Sequence, residues 1–76
     1  MYGNLEYKFF LDISSDELLN IYKGAYRKVR IVSTEGVVIE LDCEHLKRFT
    51  AEDGIHGFFK LITSSSHSFI DLIKLR

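Results

Sequence analysis

The metal-binding residue types in this sequence are one cysteine and three histidines. Cys43 lies two residues before His45, and His56 and His67 follow at intervals of eleven residues. A structural zinc site usually takes two pairs of ligands, each pair separated by about two to four residues. Only Cys43 and His45 form such a pair. We therefore predict no metal site and no cofactor, and we interpret the histidines as surface residues.

Three carboxylates, Asp12, Asp16 and Glu17, lie close together in the sequence. Paired carboxylates can divide general-acid and general-base roles when burial separates their pKa values. Acidic residues in a first helical turn also stabilise its free backbone amides, and Ser14 and Glu17 have the spacing of a capping box. Capping therefore explains the cluster without catalysis. Since no nucleophile signature or glycine-rich phosphate loop occurs elsewhere, we predict a protein that is not an enzyme.

Basic residues cluster in the middle of the chain, together with a tyrosine on which an unpaired base could stack. This combination predicts, as one alternative, a binder of RNA or single-stranded nucleic acid. The other interpretation is a solvated strand face whose alternating charges oppose aggregation, and the net charge of −1 adds no support for nucleic acid. The candidate nucleic-acid-binding residues are Arg27, Lys28, Arg30, Lys47, Arg48 and Tyr26.

The first half of the chain has clear secondary-structure signals. Apolar and polar residues alternate over Leu5–Ile13, which predicts a strand. Ser14 then starts a helix that ends near Gly24. The next pattern is a β-hairpin, with strands over Arg27–Ser33 and Val37–Asp42.

The second half continues with a short helical turn between Asp42 and Phe49, because the period of two is lost there. Strands follow over Ile55–Thr63 and Phe69–Leu75. We predict a single α+β domain over residues 1–76, in the order β-α-β-β-short helical turn-β-β. Short connections favour an antiparallel arrangement, and we expect one strongly curved five-stranded sheet or a small barrel.

The first and last strands carry apolar residues on both faces, and one helix can cover only part of one face. An uncovered apolar face commonly marks an interface. The leading functional hypothesis is therefore a protein interaction module that self-associates, with a homodimer expected and a further protein partner unidentified. The candidate self-association residues are Phe10, Phe69, Ile70, Leu72 and Ile73.

Composition limits where this protein works. Apolar residues make up 46% of the chain, but no purely apolar run exceeds three residues, far short of the roughly 20 that span a bilayer. Cys43 is the single cysteine and cannot form an internal disulfide, which favours a reducing compartment. The N-terminus lacks the pattern of a signal peptide. We expect a cytoplasmic protein without membrane contact.

Three segments resemble DUF2835, a family of small bacterial proteins of unknown function. They are Leu19–Gly24 (LNIYKG), Val29–Leu41 (VRIVSTEGVVIEL) and His45–Phe59 (HLKRFTAEDGIHGFF). The resemblance extends over nearly all 76 residues. It implies a short stand-alone protein, and it carries over no activity, cofactor or site residue.

Overall fold

The computed structural model describes residues 3–76. Its elements follow the predicted order, so the helix after the first strand and the five strands are confirmed. They are β1 (Leu5–Ser14), α1 (Ser15–Tyr22), β2 (Lys28–Val32), β3 (Val38–Asp42), a 3-10 segment (Cys43–Phe49), β4 (Gly54–Thr63) and β5 (Phe69–Lys74).

The strands divide between two antiparallel sheets, of order β1-β4-β5 and β2-β3. The prediction of one five-stranded sheet is therefore wrong, and residues 3–76 contain no closed barrel. Within that range a single backbone hydrogen bond joins the sheets, from the Thr34 amide to the Lys8 carbonyl at 2.8 Å. The reason is that β4 pairs with β1 over the full length of both strands and with β5 on its other side, whereas β2 pairs only with its hairpin neighbour β3.

Local signals in the sequence place α1. The Ser14 hydroxyl accepts a hydrogen bond from the Glu17 amide at 3.2 Å, and the Glu17 carboxylate accepts one from the Ser14 amide at 3.3 Å. The predicted capping box is thus present, and it satisfies two backbone donors that the first turn would otherwise leave free. Gly24 follows the helix with φ of +82°, the left-handed conformation that ends many helices.

The core lies on the face of the three-stranded sheet that carries Phe9, Phe59, Leu61 and Leu72, which we call the helix-side face. Phe9 and Phe59 are paired across β1 and β4 and stack with ring centroids 6.0 Å apart. Burial of each such ring stabilises the fold by about 1.5–3 kcal/mol. Residues of α1, the hairpin and the 3-10 segment complete this core: Leu18, Ile21, Ile31, Leu41, Cys43 and Leu46.

A bulge changes the faces of β5. Ile62 pairs with Asp71, whereas the next residue of β4, Thr63, pairs with Phe69, so Ile70 is the extra residue. Paired residues share a face of the sheet, and Phe69 therefore lies on the helix-side face. A strict period of two instead predicts Phe69 on the same face as Ile73, and this prediction is wrong because one extra residue shifts the alternation.

Candidate interaction surface

The opposite face of the three-stranded sheet, which carries Phe10, Phe58, Lys60 and Ile73, has no element of residues 3–76 packed over it. We call it the outer face. Phe10 pairs with Phe58 across β1 and β4, and the two ring centroids are 4.4 Å apart. Phe10 is 68% exposed, the largest exposure among the large apolar side chains described. The two aromatic rings thus form a row on the outer face, in which Phe10 is exposed and Phe58 is half-buried.

Charges flank this aromatic row on both sides. Lys8 and Lys60 form the paired row before it along β1, and Asp12 and His56 form the row after it. Ile73 lies beside Lys60 and extends the apolar surface towards β5. The outer face therefore has an apolar centre, with Lys8 and Lys60 on one side, where Lys60 lies 4.0 Å from the Glu6 carboxylate, and the paired Asp12 and His56 on the other.

A shallow groove of about 500 Å³ runs beside the aromatic row. Gly57 forms part of its lining, at φ of +151°, and a Cβ there would lie 2.4 Å from the carbonyl oxygen of Arg76. This close approach of the backbone requires glycine at position 57. The guanidinium of Arg76 lies 5.0 Å from the centroid of the Phe58 ring, so the last residues of the chain pack along one side of the aromatic row.

The candidate self-association residues from the sequence do not all share this surface. Phe10 and Ile73 lie on the outer face, and Ile70 is the exposed residue of the bulge. Leu72 is 1% exposed and belongs to the core, so it is not available for contacts at this surface. Phe69 lies on the helix-side face, where its ring stacks on the His45 ring with the two centroids 3.6 Å apart.

His56 joins three parts of the fold at the end of the outer face. Its Nδ1 lies 2.5 Å from Oδ1 of Asp12, and its Nε2 lies 2.8 Å from the backbone carbonyl of Asp53. The Asp53 carbonyl and the Asp12 carboxylate raise the pKa of His56 above 6.5, because both favour a ring that donates from both nitrogens. Sequence reasoning missed the pair, since Asp12 and His56 are 44 residues apart and only strand register brings them together.

The other metal-binding residue types lie in separate environments. Cys43 is buried in the core, and burial, followed by the nearby Asp42 carboxylate, raises the pKa of its thiol. The His45 ring stacks on Phe69, whereas His56 lies at the end of the outer face. Among residues 3–76 no three histidine, cysteine or acidic side chains come together as a metal site.

Two of the candidate nucleic-acid-binding residues form ion pairs with acidic side chains. Lys47 binds Glu44 at 2.7 Å, and the Arg48 guanidinium lies 3.2 Å from the Asp71 carboxylate and also donates to the backbone carbonyl of Leu72. On the hairpin, two basic residues lie directly opposite acidic ones. These cross-strand pairs are Lys28 with Asp42 and Arg30 with Glu40.

Two further grooves lie elsewhere on the protein. One of about 390 Å³ brings Tyr26 and Arg27 to the same opening as Tyr22 and Lys47. The other, of about 410 Å³, lies in the seam between the two sheets, where Tyr7, Leu61 and Phe69 face the edge of β3. Within residues 3–76 no helix has the length and the apolar character needed to span a bilayer.

Comparison with known proteins places this fold in a family. No curated protein and no solved structure shows significant similarity to the chain. The family described as "Protein of unknown function (DUF2835)" matches residues 5–75, which agrees with the resemblance carried by the segments around α1, the hairpin and β4. The chain therefore belongs to the DUF2835 family.

Proposed function

We propose that this protein is a non-enzymatic interaction module that self-associates through the outer face of its three-stranded sheet. The observation that carries the proposal is the aromatic pair Phe10 and Phe58 on that face, in which Phe10 is 68% exposed and Phe58 is half-buried. A solvated antiparallel sheet normally carries polar residues on its open face. Aromatic side chains there lose contact with water on association, which makes a second protein surface favourable.

The magnitudes are consistent with a modest affinity. Full burial of a phenylalanine side chain is worth about 1.5–3 kcal/mol, and in a symmetric dimer each exposed ring counts twice. Association must also offset lost translational and rotational freedom of at least about 4 kcal/mol. The rings alone do not exceed this cost by the roughly 8 kcal/mol of a micromolar dissociation constant, so the rest of the outer face must contribute, and we expect a concentration-dependent dimer rather than an obligate one.

Light scattering coupled to size-exclusion chromatography tests the proposal. The wild-type chain should have the mass of a dimer at high micromolar concentration and that of a monomer on dilution. Phe10→Ser should shift the equilibrium to monomer without loss of the folded state, because Phe10 is outside the core. A wild-type chain that stays monomeric at every concentration would remove the basis of the proposal.

A matched control uses an exposed apolar residue on the other sheet. Val32 is 59% exposed and pairs with Val38 at the turn end of the β2–β3 hairpin, away from the outer face. Val32→Ser should leave the dissociation constant unchanged. If Val32→Ser weakens association as much as Phe10→Ser, the outer face is not the interface.

A second candidate function is binding of RNA or single-stranded nucleic acid. The observation that favours it is the groove shared by Tyr22, Tyr26, Arg27 and Lys47, which combines aromatic rings with positive charge. Asp42 and Glu44 line the same groove, and their negative charge opposes phosphate. This function therefore has weaker support than self-association.

Salt dependence separates the two functions. Each phosphate contact to a single strand adds about 0.7 to the slope of log affinity against log salt. Fluorescence anisotropy with a labelled oligonucleotide should show binding that weakens steeply with salt and is lost in Arg27→Ala if this second function operates. Absence of binding at low salt would exclude it and leave self-association unaffected.

A further inference from the structure

We propose that two copies of this chain pack outer face against outer face, about a two-fold axis along the Phe10–Phe58 row. In this arrangement Lys8 of each copy lies opposite Asp12 of the other. The inference rests on the proposed self-association and adds the orientation of the two copies.

The charge pattern of the outer face selects this orientation. A two-fold axis along the aromatic row places Phe10 of one copy against Phe10 of the other. It also superposes the row that contains Lys8 on the row of the other copy that contains Asp12. Lys8 precedes Phe10 by two residues and Asp12 follows it by two, so both lie on the outer face at equal distances from the axis. Each dimer therefore contains two Lys8–Asp12 contacts of opposite charge, and it also places Lys60 opposite His56, which is a like-charge contact when His56 is protonated.

The other in-plane axis is less favourable. A two-fold axis in the plane of the sheet and parallel to the strands would superpose β1 of one copy on β5 of the other. Glu6 would then face Asp71 of the other copy, because both residues lie in the same row of the sheet as Ile62. Opposed like charges at an interface are unfavourable. The antiparallel stacking about the aromatic row avoids this contact.

Edge-to-edge association of the three-stranded sheet is obstructed at both of its edges. On β1, the Thr34 amide already donates to the outward carbonyl of Lys8 at 2.8 Å. On β5, the side chains of Asp71 and Arg48 occupy the amide and the carbonyl of Leu72, and the bulge at Ile70 interrupts the edge. Blocked edges and an open face both favour stacking of faces.

Lys8 and Asp12 are available for contacts between copies. Both are exposed, and the Asp12 side chain is 88% exposed even though it contacts His56. Lys8 forms no salt bridge with any residue of the described range 3–76. Opposite charge from a second copy would therefore be the first close ionic partner of Lys8.

Charge reversal tests the orientation. Lys8→Glu places two carboxylates against each other in each half of the interface, and Asp12→Lys places two ammonium groups against each other. Each variant alone should therefore dimerise about tenfold or more weakly than wild type. In a one-to-one mixture of the two variants, the reversed position 8 meets the reversed position 12, and the unchanged Asp12 meets the unchanged Lys8. The mixture should form a heterodimer with an affinity within about threefold of wild type.

Matched controls carry the same change of net charge away from the outer face. Lys23→Glu and Glu35→Lys are exposed positions outside the three-stranded sheet, and neither they nor their mixture should alter dimerisation. Circular dichroism confirms that each variant is folded. Analytical ultracentrifugation or native mass spectrometry gives the homodimer and heterodimer populations.

The outcomes separate this inference from the proposed function. If Phe10→Ser abolishes the dimer while both charge reversals dimerise as wild type does, the outer face is the interface but the orientation is wrong. If each reversal weakens association and the mixture gives no heterodimer, the orientation is also wrong. A monomeric wild-type chain overturns both the proposed function and the orientation.

Discussion

The Nδ1 atom of His56 lies 2.5 Å from Oδ1 of Asp12, so one imidazole ring connects β4 to the end of β1. The same ring bonds the Asp53 carbonyl through Nε2. A ring that donates from both nitrogens is protonated. The stability of the β1–β4 pair and of the turn at Asp53 therefore depends on the protonation state of His56.

Stability should fall as pH rises across the titration of His56. Its pKa is raised above 6.5 in the folded state, so the folded chain binds more protons than the unfolded chain in this range. The contribution is fully present below pH 6.5, the unfolded value, and is lost as pH rises through the folded pKa. Urea unfolding at several pH values should show this slope, and an NMR titration of the ring should give the raised pKa.

Two variants make the His56 prediction specific. His56→Gln should flatten the pH dependence because it removes the titrating ring. His67→Asn provides the control, since His67 has φ of +70°, which asparagine tolerates, and it should leave the slope unchanged. An unaltered slope in His56→Gln would contradict the assignment.

Gly54 should be the glycine most sensitive to substitution. It has φ of +116°, and a Cβ there would lie 1.8 Å from the backbone carbonyl oxygen of Ile13. Gly54→Ala must move the backbone between β1 and β4, so we expect a loss of more than about 2 kcal/mol in unfolding free energy. Gly36→Ala, at φ of +84° in open space, should cost only about 1–2 kcal/mol. Equal losses in urea unfolding would contradict a steric role for Gly54.

Arg48 should stabilise the edge of β5. Its guanidinium contacts the Asp71 carboxylate and the Leu72 carbonyl. Arg48→Met should lower the unfolding free energy by about 1 kcal/mol because it removes the partner of a partly buried carbonyl. Lys47→Met, which breaks the surface pair with Glu44 and the 5.7 Å contact of the ammonium with the centroid of the Tyr22 ring, should cost less than about 0.5 kcal/mol. A double-mutant cycle with Asp71→Asn measures the coupling, and a coupling of zero would exclude the ion pair as the source.

Ile70 and Leu72, two apolar residues of β5, should respond differently to truncation. Leu72→Ala should cost about 2–5 kcal/mol, since Leu72 is 1% exposed in the core. Ile70→Ala should cost less than about 1 kcal/mol, because Ile70 is 47% exposed in the bulge. Chemical unfolding of both variants checks the two values. A large loss at Ile70 with a small loss at Leu72 would mean that the faces of β5 are reversed.

Local sequence signals identified much of the fold because their physics is local. The capping box joins Ser14 to a residue three positions away, and the turn after Ser33 depends on Gly36 at positive φ. Alternation also placed Phe9 in the core and Phe10 outside it. None of these features needs information from a distant part of the chain.

Where the structure departed from expectation, contacts between distant segments were responsible. The bulge at Ile70 reversed the face of Phe69, and no residue type marks an extra residue in a strand. The pairing of Asp12 with His56, and of Arg48 with Asp71, depends on the register of strands far apart in sequence. Register follows from the fit of whole strands, which a local pattern does not contain.

The amino-acid sequence by itself determined the order of the elements, the start of α1 and the family of this chain. Only the tertiary structure decided that the strands form two sheets, that Leu72 is buried, and that Phe10 remains exposed on the outer face between Lys8 and Asp12. The physical reason is that secondary structure depends on neighbouring residues, whereas an exposed face exists only once every other element has packed on the opposite side.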